Sequence, residues 1–217
     1  MKSQSPIRSR RRLMFAMILT FASLATLVSG CGPDELVELD KFIPGIVLDI
    51  RYATTNNFTG QILYPSARCF LRKLVAKNLR DVQAELATQG LGLKIFDGFR
   101  PLSVQKKMWE VFPHPGYVAD PKKGSRHNRG AAVDLTLVRL SDGAELPMPT
   151  AFDDFTSTAH RDFKDLPEES IRNRALLESV MNKHGFIGLP TEWWHFDDEN
   201  WKRYPIMDFD VSTIRDR

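Results

Sequence analysis

The chain has 217 residues, 42% of them hydrophobic, which is enough for one domain with a real core. Its formal charge of +3 is misleading, because Lys2, Arg8, Arg10, Arg11 and Arg12 all precede Cys31 and no acid occurs before Asp34. From Cys31 onward 25 basic residues face 27 acidic ones, a net charge of about −2, so composition gives no support to nucleic-acid binding.

The first 30 residues have the layout of an export signal: the basic cluster, an apolar run from Leu13 to Val28, and small residues at a cut site. The apolar run is short for a membrane-spanning helix. Val28-Ser29-Gly30-Cys31 resembles a lipobox, whose cysteine is lipidated after cleavage, and Ser9-Arg10-Arg11-Arg12-Leu13-Met14 resembles a twin-arginine signal. The expected organisation is therefore a signal over 1–30, a tether over 31–41 and one domain over 42–217. With Cys31 lipidated, Cys69 is left alone; it reads as a buried small hydrophobe, and no disulfide is expected.

Phe42 to Tyr52 carries Ile46, Val47, Leu48 and Ile50 and suits an early strand, followed by a loop marked by Asn56, Asn57, Thr59 and Gly60. Leu71, Leu74, Val75, Leu79, Val82 and Leu86 recur three and four apart and predict a helix, stopped at Gly90. Leu91, Leu93 and Ile95 alternate as a strand leading to Asp97-Gly98. Ser103 is the expected cap of a second helix with Val104, Met108 and Trp109 inside. Pro113 to Gly124 is a loop. Ala131 to Leu140 is a strand, turning at Ser141-Asp142-Gly143 into a hairpin. Phe152 to Leu166 reads as a loop over a site. Glu168 to Lys183 is a third helix with Ile171, Ala175, Leu176 and Val180 inward, stopped at Gly185. Thr191 to Asp197 is the last core strand. Helices and hairpin-like strands that do not alternate strictly predict an α+β fold, a central, mainly antiparallel sheet flanked by helices.

Chemistry concentrates in two short runs, Ser125-Arg126-His127-Asn128-Arg129-Gly130-Ala131-Ala132-Val133-Asp134 and Glu192-Trp193-Trp194-His195. A hydrolytic zinc site needs three protein ligands and one open position. His127, Asp134 and His195 are the candidate ligands for one Zn2+ per chain, and Glu192 the candidate base for water. Gly130 lets the backbone turn between ligands seven residues apart. Glu192 and His195, three apart, would point to opposite faces of a regular strand. Either the strand begins after Glu192 or a bulge turns it, and Glu192 is expected at the strand's entry. His114, His160 and His184 are expected to face solvent or bond locally. Trp193 and Trp194 are expected in the core and the pocket wall.

These runs resemble the SxHxxGxAxD and ExxH signatures of the D-alanyl-D-alanine dipeptidases, part of a wider group with the hedgehog-like domains. Asp49 to Gly60, Asp97-Gly98-Phe99-Arg100-Pro101 and Met148 to Asp153 resemble further motifs of that family, so the resemblance covers Asp49 to His195. It implies a hedgehog/D,D-peptidase-like fold and zinc-dependent hydrolysis of a small dipeptide. It further implies Arg100 against the oxyanion, Asp153 on the substrate amine, and Ser125 and Tyr52 at its carboxylate end. Pro149 departs from the glycine usual in the family. The alternatives are a D,D- or L,D-carboxypeptidase acting on longer wall peptides and a non-catalytic hedgehog-like zinc domain. The expected location is the cell envelope, on the periplasmic side, with a membrane contact only through lipid on Cys31.

Overall fold

The computed structural model of the protein describes residues 35–214; the signal expected over 1–30, Cys31 and the last three residues lie outside them. The regular elements in chain order are β1 (Leu36–Glu38), α1 (Leu39–Phe42), β2 (Val47–Leu48), β3 (Phe70–Arg72), α2 (Lys73–Ala87), β4 (Leu91–Asp97), α3 (Leu102–Val111), β5 (Ala132–Arg139), α4 (Glu168–Lys183), β6 (Phe186–Gly188) and β7 (His195–Asp198). The fold is α+β. Five strands form a sheet in the order β2-β4-β5-β7-β6, parallel only between β2 and β4, and β1 pairs with β3 in a separate two-stranded ribbon.

Register decides which side chains share a face. Leu93 opposes Leu137 and Ile95 opposes Leu135, and all four are fully buried in the core that also holds Val75, Leu79, Val82 and Leu86 of α2. The register then slips between Ile95 and Asp97, so that Asp97 opposes Asp134. Phe96 is the extra residue of a β-bulge. In a regular strand that kept Phe96 in register, Asp97 would fall on the aliphatic face with Ile95. Asp134 in turn opposes His195 on β7. Opposed residues on paired strands project to the same side, so Asp97, Asp134 and His195 form one row across the middle of the sheet.

Several local expectations need correction. The tether of 31–41 is packed structure from Leu36 onward: β1 pairs with β3, and Leu39 is wholly buried. That pairing joins segments more than thirty residues apart, which no local pattern announces. The early strand shrinks to Val47–Leu48, followed by a 3-10 turn at Arg51–Ala53, and Leu71 belongs to β3 rather than α2. Ser103 lies inside α3; its amide is bonded by the Asp208 carboxylate at 2.8 Å, so the tail caps that helix. On α4 the buried side chains are Ser170, Arg174, Leu177, Val180 and Met181, while Ala175 is exposed. Arg174 is inside because it donates to the carbonyls of His160 and Phe163, so polarity does not mark the outer face of this helix. The last strand begins at His195, not Thr191, and β6 precedes it as a short edge strand.

Candidate metal centre

His127 reaches the row of acids from a loop. It opens a 3-10 turn, His127–Arg129, that ends at Gly130 in the left-handed region (φ 65). A side chain at Gly130 would also meet Leu36 at 2.9 Å, so glycine is required there twice over. The loop is fixed from below by the fully buried Asn128, which accepts from the Ser125 amide at 2.7 Å and donates to the Arg100 carbonyl at 2.8 Å.

Three ligand atoms converge. His127 Nε2 lies 3.1 Å from His195 Nδ1 and 3.3 Å from Asp134 Oδ1, and His195 Nδ1 lies 2.9 Å from that oxygen. The other ring nitrogens are engaged elsewhere: His127 Nδ1 donates to the Gly98 carbonyl at 2.8 Å, and His195 Nε2 lies 3.0 Å from Asp197 Oδ1. Those outer bonds orient both rings and aim the remaining nitrogens inward, the arrangement that metal-ligating histidines use. The three side chains can together hold a metal ion. Burial works against a charged His195, but Asp197 and Asp134 outweigh it and push the ring up to about 10. Burial also works against an ionised Asp134, and the two imidazoles outweigh it, holding the carboxyl well below the usual range. An ion entering this cluster must displace a proton.

Glu192 sits in the turn just before β7, so the strand begins after it, the first of the two geometries considered. Its side chain is buried and lines the same cavity as the three ligands, and Oε1 has no hydrogen-bond partner among the described residues. Burial pushes its carboxyl up to about 8. In chelator-treated protein, the proton on Glu192 is held more tightly by the fold than by the unfolded chain. Stability from this group is complete below about pH 4.5 and lost as the pH climbs through 8. Glu192→Gln removes that penalty, so metal-free variant should exceed metal-free parent by roughly 5 kcal/mol above pH 9 in urea unfolding, with no gain at pH 4.

Arg100 is buried and held from three sides. Its Nε and Nη2 both donate to Asp97 Oδ2, at 2.9 and 2.7 Å, and Nη1 donates to Gln105 Oε1 at 2.9 Å. Burial opposes its charge, yet Asp97 more than compensates. Nη2 lies 3.8 Å from Asp134 Oδ2. The Tyr52 ring lies against the guanidinium at 5.2 Å. The Tyr52 hydroxyl donates to Asp153 Oδ1 at 3.0 Å, so Tyr52 groups with Asp153 rather than with Ser125. Asp153 also accepts from the Phe58 amide at 3.1 Å, and burial raises its carboxyl to about 7. Ser125 Oγ accepts from the His127 amide at 3.2 Å.

All eight sequence-derived residues of the domain line one cavity of about 100 Å³, open to solvent. Phe58, Tyr117 and Phe155 complete its wall, with Phe155 stacked on Phe112 at 5.4 Å and on Tyr117 at 5.1 Å. Trp194 lines it too, whereas Trp193 turns into the core and donates to Thr150 Oγ1. His114 stacks on Phe112, His160 lies 3.3 Å from the Tyr117 hydroxyl, and His184 pairs with Glu85. Cys69 is buried in the core, with its thiol pushed up by burial.

The structure adds Asp97, Gln105 and Asp197 to the site. Asp197 was legible, since it stands two residues after His195 on a strand and shares its face. Asp97 was not, because the bulge changes its face.

A family model described as D-ala-D-ala dipeptidase matches residues 33–212. The chain belongs to the D-ala-D-ala dipeptidase family. It is 38% identical to the D-alanyl-D-alanine dipeptidase of Escherichia coli (strain K12), over 80% of this chain and 89% of that one. It is 33% identical to the enzyme of the same name from Enterococcus faecium, over 81% and 96%. Among solved structures, the LdcB LD-carboxypeptidase superposes with a TM-score of 0.45 at 20% identity, covering 80% of this chain and 72% of that one. Membership of this family makes the protein a metallopeptidase, a hydrolase.

Proposed function

We propose that the protein is a zinc-dependent dipeptidase that hydrolyses free D-alanyl-D-alanine in the cell envelope. The observation that carries this reading is the convergence of His127, Asp134 and His195 beside the buried Glu192, whose Oε1 has no hydrogen-bond partner among the described residues. A set of two nitrogens and one oxygen with a free side is the donor set of a hydrolytic zinc site. Ligand atoms 2.9–3.3 Å apart are close to the spacing that a tetrahedral ion with bonds of roughly 2.0–2.1 Å demands.

His127, Asp134 and His195 would hold the ion, which when bound supplies Lewis acidity and a nucleophile active at neutral pH. Glu192 would take the proton of the attacking water and return it to the leaving amine, a role for which its buried carboxyl is placed beside the three ligands with Oε1 unengaged among the described residues. Arg100, immobilised by Asp97 and Gln105, offers a fixed charge to the tetrahedral oxyanion without reorganising. Asp153 meets the free amine. It is the only non-glycine residue with positive φ among those described (φ 63), a strained backbone that two hydrogen bonds to its carboxylate maintain. Tyr52 orients Asp153, and Ser125 takes the carboxylate end. An acid on the amine side favours a substrate with an unblocked amine, so a dipeptide fits better than the interior of a longer wall peptide.

Export by residues 1–30 and lipid attachment at Cys31 would place this activity at the periplasmic face, in turnover or salvage of wall-derived dipeptide. Mass spectrometry of the mature N-terminus tests that placement: an acylated Cys31 supports it and an intact Met1 refutes it. The activity is tested by incubating zinc-loaded protein with D-Ala-D-Ala, its N-acetyl derivative and a wall pentapeptide. Cleavage of the free dipeptide alone is expected; preference for the blocked or longer peptide would transfer the assignment to a carboxypeptidase.

A further inference from the structure

The base has no tether at its own head. Glu192 Oε1 makes no hydrogen bond among the described residues, so its placement depends on the backbone of the irregular connection between β6 and β7. That connection is gripped by one side chain from another loop. Arg161 Nε donates to the Leu189 carbonyl at 2.9 Å, and its Nη2 donates to the carbonyls of Trp193 at 3.0 Å and His195 at 2.8 Å. The Arg161 amide bonds the Pro190 carbonyl at 3.0 Å as well. One residue thus satisfies carbonyls on both sides of Glu192. The guanidinium lies over the Phe196 ring at 4.3 Å, with Nη1 3.8 Å from Glu178. Room for it comes from Gly188 at the end of β6: a Cβ there would stand 2.3 Å from Arg161 Cζ.

We propose that Arg161 is a positioning residue for Glu192, clamping the turn that carries the base to the segment that carries Asp153. Its position in the chain supports the second half of that statement. Arg161 follows Asp153 and Phe155 in the 152–166 loop, and the Trp193 amide bonds the Ala159 carbonyl of the same loop at 3.1 Å. The clamp is geometrically specific. A planar fork can serve Leu189, Trp193 and His195 together, whereas an ammonium on a flexible stem cannot hold all three in one arrangement. A base displaced by about 1 Å from a reacting water forfeits up to roughly 100-fold in rate. Arg161 itself does not line the cavity, so its loss should act on kcat far more than on KM.

This inference rests on Glu192 being the base, and the experiment separates the two. Arg161→Ala, Arg161→Lys and Gly188→Ala are made in the full chain, together with Glu192→Gln and the double variant Arg161→Ala/Glu192→Gln. Zinc content, Tm, kcat and KM for D-Ala-D-Ala are measured on each. Arg161→Ala should lower kcat roughly 10- to 100-fold with KM within about threefold and zinc stoichiometry unchanged. Arg161→Lys should fall between it and the parent. Gly188→Ala, which displaces the guanidinium but keeps its charge, should lower kcat in the same direction, and it decides the matter where Arg161→Ala does not fold. In the Glu192→Gln background, losing Arg161 should cost no further rate. A folded, zinc-loaded Arg161 variant with parental kcat, or a rate loss that persists undiminished without Glu192, overturns the positioning role. Parental turnover by Glu192→Gln would instead remove the base assignment itself.

Discussion

Glu192→Gln is expected to lower kcat for D-Ala-D-Ala by about 10³-fold, within the span usual for loss of a general acid–base group. Glutamine keeps the shape of the side chain and cannot accept a proton at neutral pH. The effect should be confined to the chemical step. Glu192 is not among the three converging ligand side chains, and its Oε1 has no hydrogen-bond partner among the described residues, so metal content should match the parent. KM should change little, because no substrate-anchoring residue bonds to Glu192. Metal analysis beside steady-state kinetics checks all three points. Loss of the ion in this variant would make Glu192 a ligand, and undiminished kcat would leave the water without a base.

Arg100→Ala should act twice. The first effect is on rate, roughly 10²–10³-fold in kcat for the loss of one preorganised oxyanion donor. The second is on stability. Asp97 is wholly buried, and Arg100 supplies two of its hydrogen bonds; the Tyr64 hydroxyl at 2.7 Å and the Gly98 amide at 2.9 Å would remain. Breaking a buried ion pair from one side costs roughly 3–5 kcal/mol. Urea unfolding measures that loss, and kcat is read at a temperature where the variant is folded. Arg100→Lys should recover part of the stability and little of the rate, since an ammonium cannot reach Asp97 and Gln105 at once while facing the cavity. A folded Arg100→Ala with kcat within threefold of the parent would reduce Arg100 to a structural partner of Asp97.

How much of this was legible in the sequence depends on the distance over which each feature is decided. The residues of the cavity stood in short runs because a loop–turn–strand unit delivers His127 and Asp134, and a turn–strand unit delivers Glu192 and His195. Spacing inside each unit is local, so it could be read. The face of α2 was legible for the same reason: Val75, Leu79, Val82 and Leu86 repeat on a helical period and are buried. On α4 the period failed because Arg174 is buried to satisfy two carbonyls of the loop that precedes the helix, a need that lies outside the helix. The pairing of β1 with β3, the cap given by Asp208 to α3 and the grip of Arg161 on the Glu192 turn are likewise long-range hydrogen bonds of residues that look like ordinary surface polars. Tyr52 shows the mixed case. Its presence in the cavity was readable from its motif, but its bond to Asp153, 101 residues away, was not.

The one-residue insertion at Phe96 governs how chains of this kind should be compared. A counterpart with an uninterrupted strand could lack a residue here and still present its aspartate to the cation, so a single gap at this point would be anatomically faithful. Matching the two by hydrophobic rhythm without a gap would put every later acid on the wrong side. What the shorter counterpart would forgo is a floor. The Phe96 ring lies 4.8 Å from that of Phe152, with the Arg51 guanidinium stacked on it at 4.9 Å, and Phe152 directly precedes the left-handed Asp153. The inserted ring thus underpins the corner that carries Asp153, and shorter chains would have to brace that corner by other means.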